Sequence, residues 1–506
     1  MVARSLCARS SAGRWAAGAL VAGALAVRLW GLGRESLWFD EAYSLMLARW
    51  PVRPSSIVDL VGPVYTLFLH CWLWLGEADW LVRLPSALFG TATVYVIYRL
   101  GAALWDEATG LVAGLLLAAS PMHVWYSQEA RMYALVTGLA ATSSWLFWGL
   151  GQRRSAARWA GYVVASVLTV YSHSLAVLVL AVHNLCVAAG LAWRRAAQPA
   201  GRPVGCQEGD RVPGWRLPAV PLRPWLLSQV VVAVLCLPWV YATFVRPPLG
   251  GYWGWIEVQY GPATWQSVLN LLAVFAHGGR VAWPALVRRG LLVAFVGLSL
   301  IGAVRWQRQG RRCALDGGWA FAAALFALPV ALVLAVSQVR NVFVPRYLMP
   351  FLPGFVLLVA RGVRSLPGRV PGAAALAGVL AISAVAVGDA YLRQEKEDWR
   401  GVAGRIAALE QPLDMIFLMD EDIVVPFRHY YRGPAAIQTV WRGRDEPEVL
   451  RRLVDEAVEA HSRVWLVLAH TQNYRLKEQL LADPRLRLAF EEARVGIYLA
   501  RFDRRP

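Results

Sequence analysis

Two adjacent acids, Asp40 and Glu41, are the residues whose types and spacing point most directly to chemistry. They lie in residues 37–44 (LWFDEAYS), directly after the first long apolar run. A carboxylate held at a helix start beside an apolar wall can act as a general base. Successive helical residues point about 100° apart, so one acid can face an acceptor while the other orients it or binds a cation. The structural alternative is that Asp40 caps a short amphipathic helix, while the negative charge of Glu41 is stabilised at the positive end of that helix.

A second cluster lies in residues 120–133 (SPMHVWYSQEARMY), between two apolar runs. If this stretch is helical, Tyr126, Glu129 and Tyr133 share one face, while Ser127 and Arg131 lie one turn apart. Ionisable residues at membrane depth are candidates for function by default. The structural alternative is that Glu129 and Arg131 satisfy the backbone or neighbouring helices.

Two more positions carry side chains suited to binding. Arg346, in residues 340–347 (RNVFVPRY), directly precedes an apolar run. One interpretation is that Arg346 anchors the helix by extending its charged end to the membrane surface. The other is that its guanidinium donates several hydrogen bonds to a lipid phosphate, which its planar shape suits. His173 interrupts an apolar helix, where a histidine is usually hydrogen-bonded packing, and a ligand role is the secondary interpretation. The aromatic loop 250–257 is read as an interfacial belt or as a stacking surface for a sugar or an isoprenoid.

The composition places these residues in a membrane protein. Of 506 residues, 57% are hydrophobic and 17% are charged, whereas soluble domains carry about a quarter charged residues. The net charge of +18 comes from arginines clustered between apolar runs, as in cytoplasmic loops, and no soluble basic module accompanies it. Nucleic-acid binding is therefore excluded. The six cysteines show no metal-ligand spacing and no disulfide framework.

Apolar runs long enough to cross a bilayer predict about eleven spans, and about 11–13 if the less regular segments are counted. The first is read as an uncleaved helix rather than a signal peptide, because many further spans follow. The predicted spans cover residues 14–32, 84–104, 109–126, 134–150, 157–175, 176–192, 224–245, 286–304, 319–336, 347–362 and 371–390.

The arginine clusters orient these spans consistently, with the N-terminus on the cytoplasmic side. The loop carrying Asp40 and Glu41 then faces outward. So do the segment 126–133, the aromatic loop 246–264, the segment 339–346 and everything after about residue 391. The apolar segments 55–78 and 264–278 are read as helices lying along the outer surface, because counting either as a span inverts the later loops.

After residue 390 the pattern changes. Strand-like runs at 415–419, 463–468, 486–490 and 495–502 alternate with helical patterns, which indicates a small α/β domain. The predicted organisation is therefore a mostly α, polytopic transmembrane domain over 1–390, with a first outer loop over 33–83, and a soluble extracytoplasmic α/β domain over 391–506.

Several motifs resemble the GT-C glycosyltransferases, in the branch of protein O-mannosyltransferases and aminoarabinose transferases. The residues 37–44 match that branch, as do 81–86 (LVRLPS), 126–133 (YSQEARMY), 346–350 (RYLMP) and 396–400 (KEDWR). The resemblance covers the whole membrane part and is specific in combination. One departure is that many members carry HPPLYY in the first outer loop, where residues 61–66 read VGPVYT. The role of that histidine is not carried over.

The resemblance implies a cell-membrane transferase that moves a sugar from a polyprenyl-phosphate donor to an outer acceptor with inversion at the sugar carbon. In this scheme Asp40 deprotonates the acceptor and Glu41 helps to place it. The remaining residues bind substrate: Arg346, Arg131 and Tyr347 hold the donor phosphate, and Tyr126, Gln128, Glu129, Tyr65 and His173 belong to the substrate pocket.

Three questions stay open at this point. No cofactor is required by the sequence, but a divalent cation on Asp40 and Glu41 is an option without an identifiable second ligand set. The acceptor is a lipid, a glycan or a protein, and neither it nor the sugar, hexose or pentose, follows from the residues. The alternative function is a lipid-linked sugar flippase or another transporter, although no internal repeat supports it.

Overall fold

The computed structural model describes residues 11–50, 62–152, 155–196, 218–244, 254–279, 281–305, 314–420, 422–440, 446–469 and 475–506. The chain divides into two compact units. The first contains the residues up to Trp30, 51–68 and 83–390, and the second contains 31–50, 69–82 and 391–506. Residues 55–61 and the aromatic loop up to residue 253 lie outside the described ranges.

Helices dominate the chain up to residue 392. In order they are α1 (Ser11–Leu29), α2 (Phe39–Arg49), α3 (Pro63–Trp72), α4 (Asp79–Leu104), α5 (Glu107–Ala119), α6 (Pro121–Ser127), α7 (Tyr133–Leu150), α8 (Ala156–Ser172), α9 (Val177–Ala196), α10 (Leu222–Phe244), α11 (Gly254–Tyr260), α12 (Trp265–His277), α13 (Ala285–Ile301), α14 (Gly317–Val336), α15 (Leu352–Ser365) and α16 (Arg369–Leu392). Short 3₁₀ turns cover Leu73–Leu75, Ser174–Ala176 and Pro345–Phe351.

A helix occupies every one of the predicted spans. Among the described residues, six helices are long and apolar enough to cross a membrane, or seven if α5 and α6 count as one bent span. The bend of 61° between α5 and α6 has a local cause. Ser120 precedes Pro121, and the residue before a proline is pushed into the extended region, where Ser120 lies with ψ of 118°. Proline then starts the new helix at its first position.

The interior of the first unit is packed by aromatic rings. His183 stacks on Phe147 with ring centroids 4.4 Å apart, and Tyr162, Trp225 and Phe321 surround this pair. The His183 imidazole also contacts the Ser144 hydroxyl at 3.2 Å. Such polar contacts between helices stabilise packing where lipid removes the hydrophobic driving force.

The second unit contains the predicted α/β fold. Its sheet has the strand order β4-β3-β5-β7-β6, formed by β3 (Asp414–Met419), β4 (Ala436–Val440), β5 (Arg463–Ala469), β6 (Leu486–Arg494) and β7 (Ile497–Arg504). β3 pairs in parallel with β4 and β5, and β7 pairs antiparallel with β5 and β6. A two-residue pair, β1 (Val304–Arg305) and β2 (Ala314–Leu315), lies earlier in the chain.

Helices cover both faces of this sheet: α17 (Trp399–Leu409), α18 (Val424–Tyr430), α19 (Pro447–Ala460) and α20 (Arg475–Ala482). Along β5, Val464, Leu466 and Leu468 belong to one core and Trp465, Val467 and Ala469 to the other. A strand buried on both faces has a continuous apolar sequence, and this is why β5 could be predicted from the sequence. β4 was missed, because its polar residues Gln438 and Thr439 interrupt the apolar pattern.

Candidate functional site

The acid pair lies in the first turn of α2, in the second unit. The helix cap is Trp38 rather than Asp40, and it makes no side-chain capping bond, so the interpretation of Asp40 as a cap is wrong. Both carboxylates instead occupy the positive end of the helix, where negative charge is favoured. Asp40 is half-buried, whereas Glu41 is fully buried. The two acids therefore have different environments, and Asp40 is the more accessible one.

The buried acid has a cationic partner that the sequence analysis did not assign. Lys396 Nζ lies 3.1 Å from Glu41 Oε2, and both residues are buried. They are 355 positions apart in the chain. The only sequence signal for Lys396 was the resemblance of residues 396–400 to one branch of a family, and that resemblance assigned no role.

Residues 395–400, here named the anchor segment, are fixed to residues 33–36 by hydrogen bonds. The backbone N–H groups of residues 395 and 396 donate to the Glu35 carboxylate at 2.6 and 3.2 Å. The Arg400 N–H donates to the Ser36 hydroxyl at 3.1 Å. These bonds hold the backbone on both sides of Lys396 and aim its side chain at Glu41.

The Arg400 side chain reinforces this attachment. Its guanidinium donates to the carbonyls of Gly33 and Glu35 at 3.2 and 3.4 Å and pairs with the Asp79 carboxylate. The Tyr430 hydroxyl donates to the same carboxylate at 2.6 Å. A guanidinium group suits several simultaneous hydrogen bonds, because its five N–H donors are held in one rigid plane.

The second cluster belongs to the first unit, and it is not one helix. α6 ends at Ser127 and α7 begins at Tyr133, with turns over residues 128–132. The condition that Tyr126, Glu129 and Tyr133 share a helical face is therefore not met. Side-chain bonds stabilise the interruption, since the Gln128 amide donates to the carbonyls of Arg28 and Trp30 at 3.0 and 2.7 Å.

An aromatic run nevertheless connects the predicted binding residues of this unit. The ring centroids of Tyr126 and Tyr133 are 4.9 Å apart, those of Tyr133 and His173 are 6.2 Å apart, and those of His173 and Tyr347 are 5.2 Å apart. These rings come from α6, the start of α7, the residue after α8 and the 3₁₀ turn at Pro345–Phe351.

Two arginines lie beside rings of this run. Arg131 Cζ is 5.9 Å from the centroid of Tyr133, and Arg346 Cζ is 5.8 Å from that of Tyr347. The structure thus brings two guanidinium groups and four rings together in the first unit. Guanidinium groups beside aromatic rings form a surface on which an anionic sugar phosphate can be held.

Two further predicted residues are attached to this cluster. The Tyr65 hydroxyl lies 3.0 Å from the Ser86 hydroxyl, which donates to the carbonyl of Arg131 at 3.2 Å. Glu129 is buried, and its carboxylate accepts a bond from the Trp125 indole at 2.6 Å. Tyr65 and Glu129 thus support the segment that carries Arg131.

A buried arginine missed by the sequence analysis positions this segment. Arg28, at the end of α1, is fully buried and contacts the His123 Nδ1 at 2.8 Å and the Ser127 hydroxyl at 3.2 Å. It also donates to the carbonyls of Leu117 and Ala118 at 3.4 Å. Those carbonyls end α5, where the helix dipole favours a positive charge. Arg28 thereby fixes the bend between α5 and α6.

Replacing Arg28 with methionine should lower the free energy of unfolding by on the order of 2–3 kcal/mol, because buried carbonyls lose a charged donor. Thermal unfolding in detergent, followed by size-exclusion chromatography, measures the change. Arg28→Lys should restore part of the stability. Arg14→Met is the matched control, because Arg14 is exposed on the same helix. Equal melting temperatures for Arg28→Met and Arg14→Met would contradict the assigned role.

Within the described ranges, no group of three or more histidine, cysteine, aspartate or glutamate side chains is arranged to hold a metal ion. A divalent cation on Asp40 and Glu41 stays a prediction. The ammonium group of Lys396 already lies beside one of those acids.

The chain is similar to membrane glycosyltransferases both in sequence and in structure. Residues 61–199 match the family of dolichyl-phosphate-mannose-protein mannosyltransferases. The structure resembles ArnT from Cupriavidus metallidurans in the apo state, with 16% identity, a TM-score of 0.55, and coverage of 97% of this chain and 98% of that one. For the same protein bound to undecaprenyl phosphate the identity is 14% and the TM-score 0.56, over the same shares of both chains.

A third solved structure, the arabinofuranosyltransferase AftD from Mycobacteria, is 13% identical with a TM-score of 0.54. It matches 97% of this chain, which spans only 40% of AftD. No curated protein sequence matches the chain. These comparisons confirm the predicted resemblance to the GT-C superfamily in the ArnT and O-mannosyltransferase branch, and they confirm the fold class. The protein is a multi-pass membrane protein.

Proposed function

We propose that this protein is an integral-membrane glycosyltransferase. It transfers a sugar from a polyprenyl-phosphate donor to an extracytoplasmic acceptor, with inversion at the sugar carbon. The observation that carries the proposal is the Asp40–Glu41 pair in the first turn of a helix directly after α1. It occurs in a chain whose fold matches ArnT, a protein solved with undecaprenyl phosphate bound, over 97% of its length.

The chemistry assigns a role to each side chain. The acceptor oxygen or nitrogen forms a bond to the anomeric carbon and gives its proton to the Asp40 carboxylate. The bond from that carbon to the phosphate oxygen breaks, and the polyprenyl phosphate leaves with one more negative charge. Arg346 and Arg131 stabilise this charge, an effect that a low-dielectric site strengthens. Tyr347, Tyr126 and His173 line the donor site.

The orientation of the chain is part of the proposal. The arginine-rich loops lie on the cytoplasmic side, and the acid pair and residues 391–506 lie outside. A donor carried by a lipid reaches such a site within the bilayer, while the acceptor arrives from the aqueous side. Protease protection of residues 391–506 in sealed inside-out vesicles tests this orientation.

The activity is tested with the purified protein in liposomes. Radiolabelled polyprenyl-phosphate donors carrying either a hexose or a pentose are incubated with cell-envelope lipids, glycans or proteins as acceptors. Label is expected in one acceptor fraction, with NMR of the product showing the inverted anomer. A retained anomer would contradict the single-displacement scheme. Movement of the labelled donor between leaflets, without transfer to any acceptor, would instead support the flippase alternative.

A further inference from the structure

The basic residues of this protein are almost all arginines. Of its 51 lysine and arginine residues, only Lys396 and Lys477 are lysines. Lys477 lies on α20, with its Nζ 3.9 Å from a Glu491 carboxylate that is half exposed. Lys396 instead has a side chain that is 6% exposed and contacts an acid that is 0% exposed. A lysine at this buried pair with Glu41, in a chain so rich in arginine, indicates a need for a compact ammonium group.

The pair is not needed to attach the anchor segment. The Glu35 carboxylate, the Ser36 hydroxyl and the Arg400 guanidinium already fix residues 395–400 to residues 33–36. A buried ion pair also adds little to stability, because desolvation of both charges offsets their attraction. The structural explanations for a lysine here are therefore weak, and a role in the chemistry of the neighbouring acids is stronger.

The geometry of an ammonium group matches that role. Arginine offers a planar fork, whereas lysine offers a compact point charge with three donors on a flexible stem. Such a charge neutralises the Glu41 carboxylate at short range. A divalent cation on the same Glu41 oxygen would be repelled by the ammonium group at 3.1 Å.

We propose that Lys396 is a positioning residue of the transfer reaction, and that its ammonium group serves as the built-in counter-cation of Glu41 in place of a divalent metal ion. Glu41 is then held as a fixed anion, and Asp40 is left to receive the proton of the acceptor. The region after residue 390 supplies part of the active site in addition to any binding of acceptor. This inference deepens the proposed function and rests on it.

The test compares Lys396→Met with the wild type in the liposome assay. The wild type should keep its rate in EDTA. Lys396→Met should lose roughly 10–100-fold in kcat, a loss of the size seen when the hydrogen-bonded partner of a metal-ligating side chain is removed. Its KM for the lipid donor should change much less, because the donor residues are untouched. Added Mg²⁺ or Mn²⁺ should restore part of kcat in Lys396→Met by entering the vacated position beside Glu41.

Three further variants make the result specific. Lys396→Arg should show an intermediate kcat, because it keeps the charge in a different shape. In Lys396→Met with Glu41→Gln, the metal ions should restore nothing, since the anion that would bind them is absent. Lys477→Met is the matched control and should transfer at the wild-type rate. A gain of metal dependence is a response that loss of packing alone does not produce.

Three outcomes would overturn the inference. One is wild-type activity that EDTA abolishes and Mg²⁺ restores, which would place a metal ion at the acid pair. Another is a Lys396→Met or Lys396→Arg variant with wild-type kcat. The effect of EDTA on the wild type tests the inference even if Lys396→Met does not fold. Absence of transfer by the wild type with every donor would overturn the proposed function itself, and this inference with it.

Discussion

Replacing Asp40 with asparagine should lower kcat for sugar transfer by roughly 10²–10⁴-fold, the usual contribution of a positioned general base. The amide keeps the size of the side chain but cannot accept the proton of the acceptor. Asp40 is the half-buried member of the pair, next to a Glu41 that is fully buried against Lys396. Initial rates at saturating donor in liposomes measure the effect.

The same variant separates catalysis from folding. A first-turn carboxylate stabilises a helix by about 0.3–1 kcal/mol, so the melting temperature should fall only slightly. Donor binding, measured with a labelled polyprenyl-phosphate sugar, should stay near the wild-type value. Asp40→Glu should recover part of the rate, and the exposed Glu459→Gln serves as the control for loss of a surface acid. Full transfer by folded Asp40→Asn would refute the assignment of the base.

Replacing Arg346 with methionine should lower kcat/KM by roughly 10²–10³-fold, the loss seen when one donor to a developing anion is removed. The lipid phosphate gains negative charge as it leaves, so the guanidinium interacts more strongly with the transition state than with the donor. Arg346 is half-buried at the start of the turn Pro345–Phe351, next to Tyr347. The expected loss is therefore larger in kcat than in donor affinity.

Inhibition by the released polyprenyl phosphate gives an independent test of the role of Arg346. Free polyprenyl phosphate carries the charge that Arg346 stabilises, so it should inhibit Arg346→Met much more weakly than the wild type. Arg346→Lys should recover part of both properties, because it keeps the charge without the fork of donors. Arg340→Met is the matched control, since Arg340 is exposed six positions earlier in the same segment. Equal inhibition constants for wild type and Arg346→Met would exclude a phosphate-binding role.

Local pattern was sufficient for most of the secondary structure. Helices lie at all of the predicted spans, because an apolar run of about 20 residues has few alternatives in a bilayer, where every backbone group must be satisfied internally. The strands β3, β5, β6 and β7 were also located from apolar runs. The errors were local: Trp38 caps α2 where Asp40 was expected, and turns interrupt the helix between Ser127 and Tyr133.

Contacts between segments far apart in the chain could not be predicted from local sequence patterns. The partner of Glu41 lies 355 positions away, and Arg28 meets His123 across 95 positions. Hydropathy reports the environment of a residue averaged over a window, so it cannot say which buried charges meet. Only the folded chain brings the aromatic run from Tyr126 to Tyr347 together from three separate segments.

By itself the sequence determined that this is a polytopic membrane protein with an acid pair after its first helix, because composition and apolar length are properties of the chain alone. It also located the α/β region after residue 390. The tertiary structure decided the environments of the two acids, leaving Asp40 half-buried and enclosing Glu41 with Lys396. Burial and charge pairing depend on which segments meet, and that follows from the packing of the whole chain.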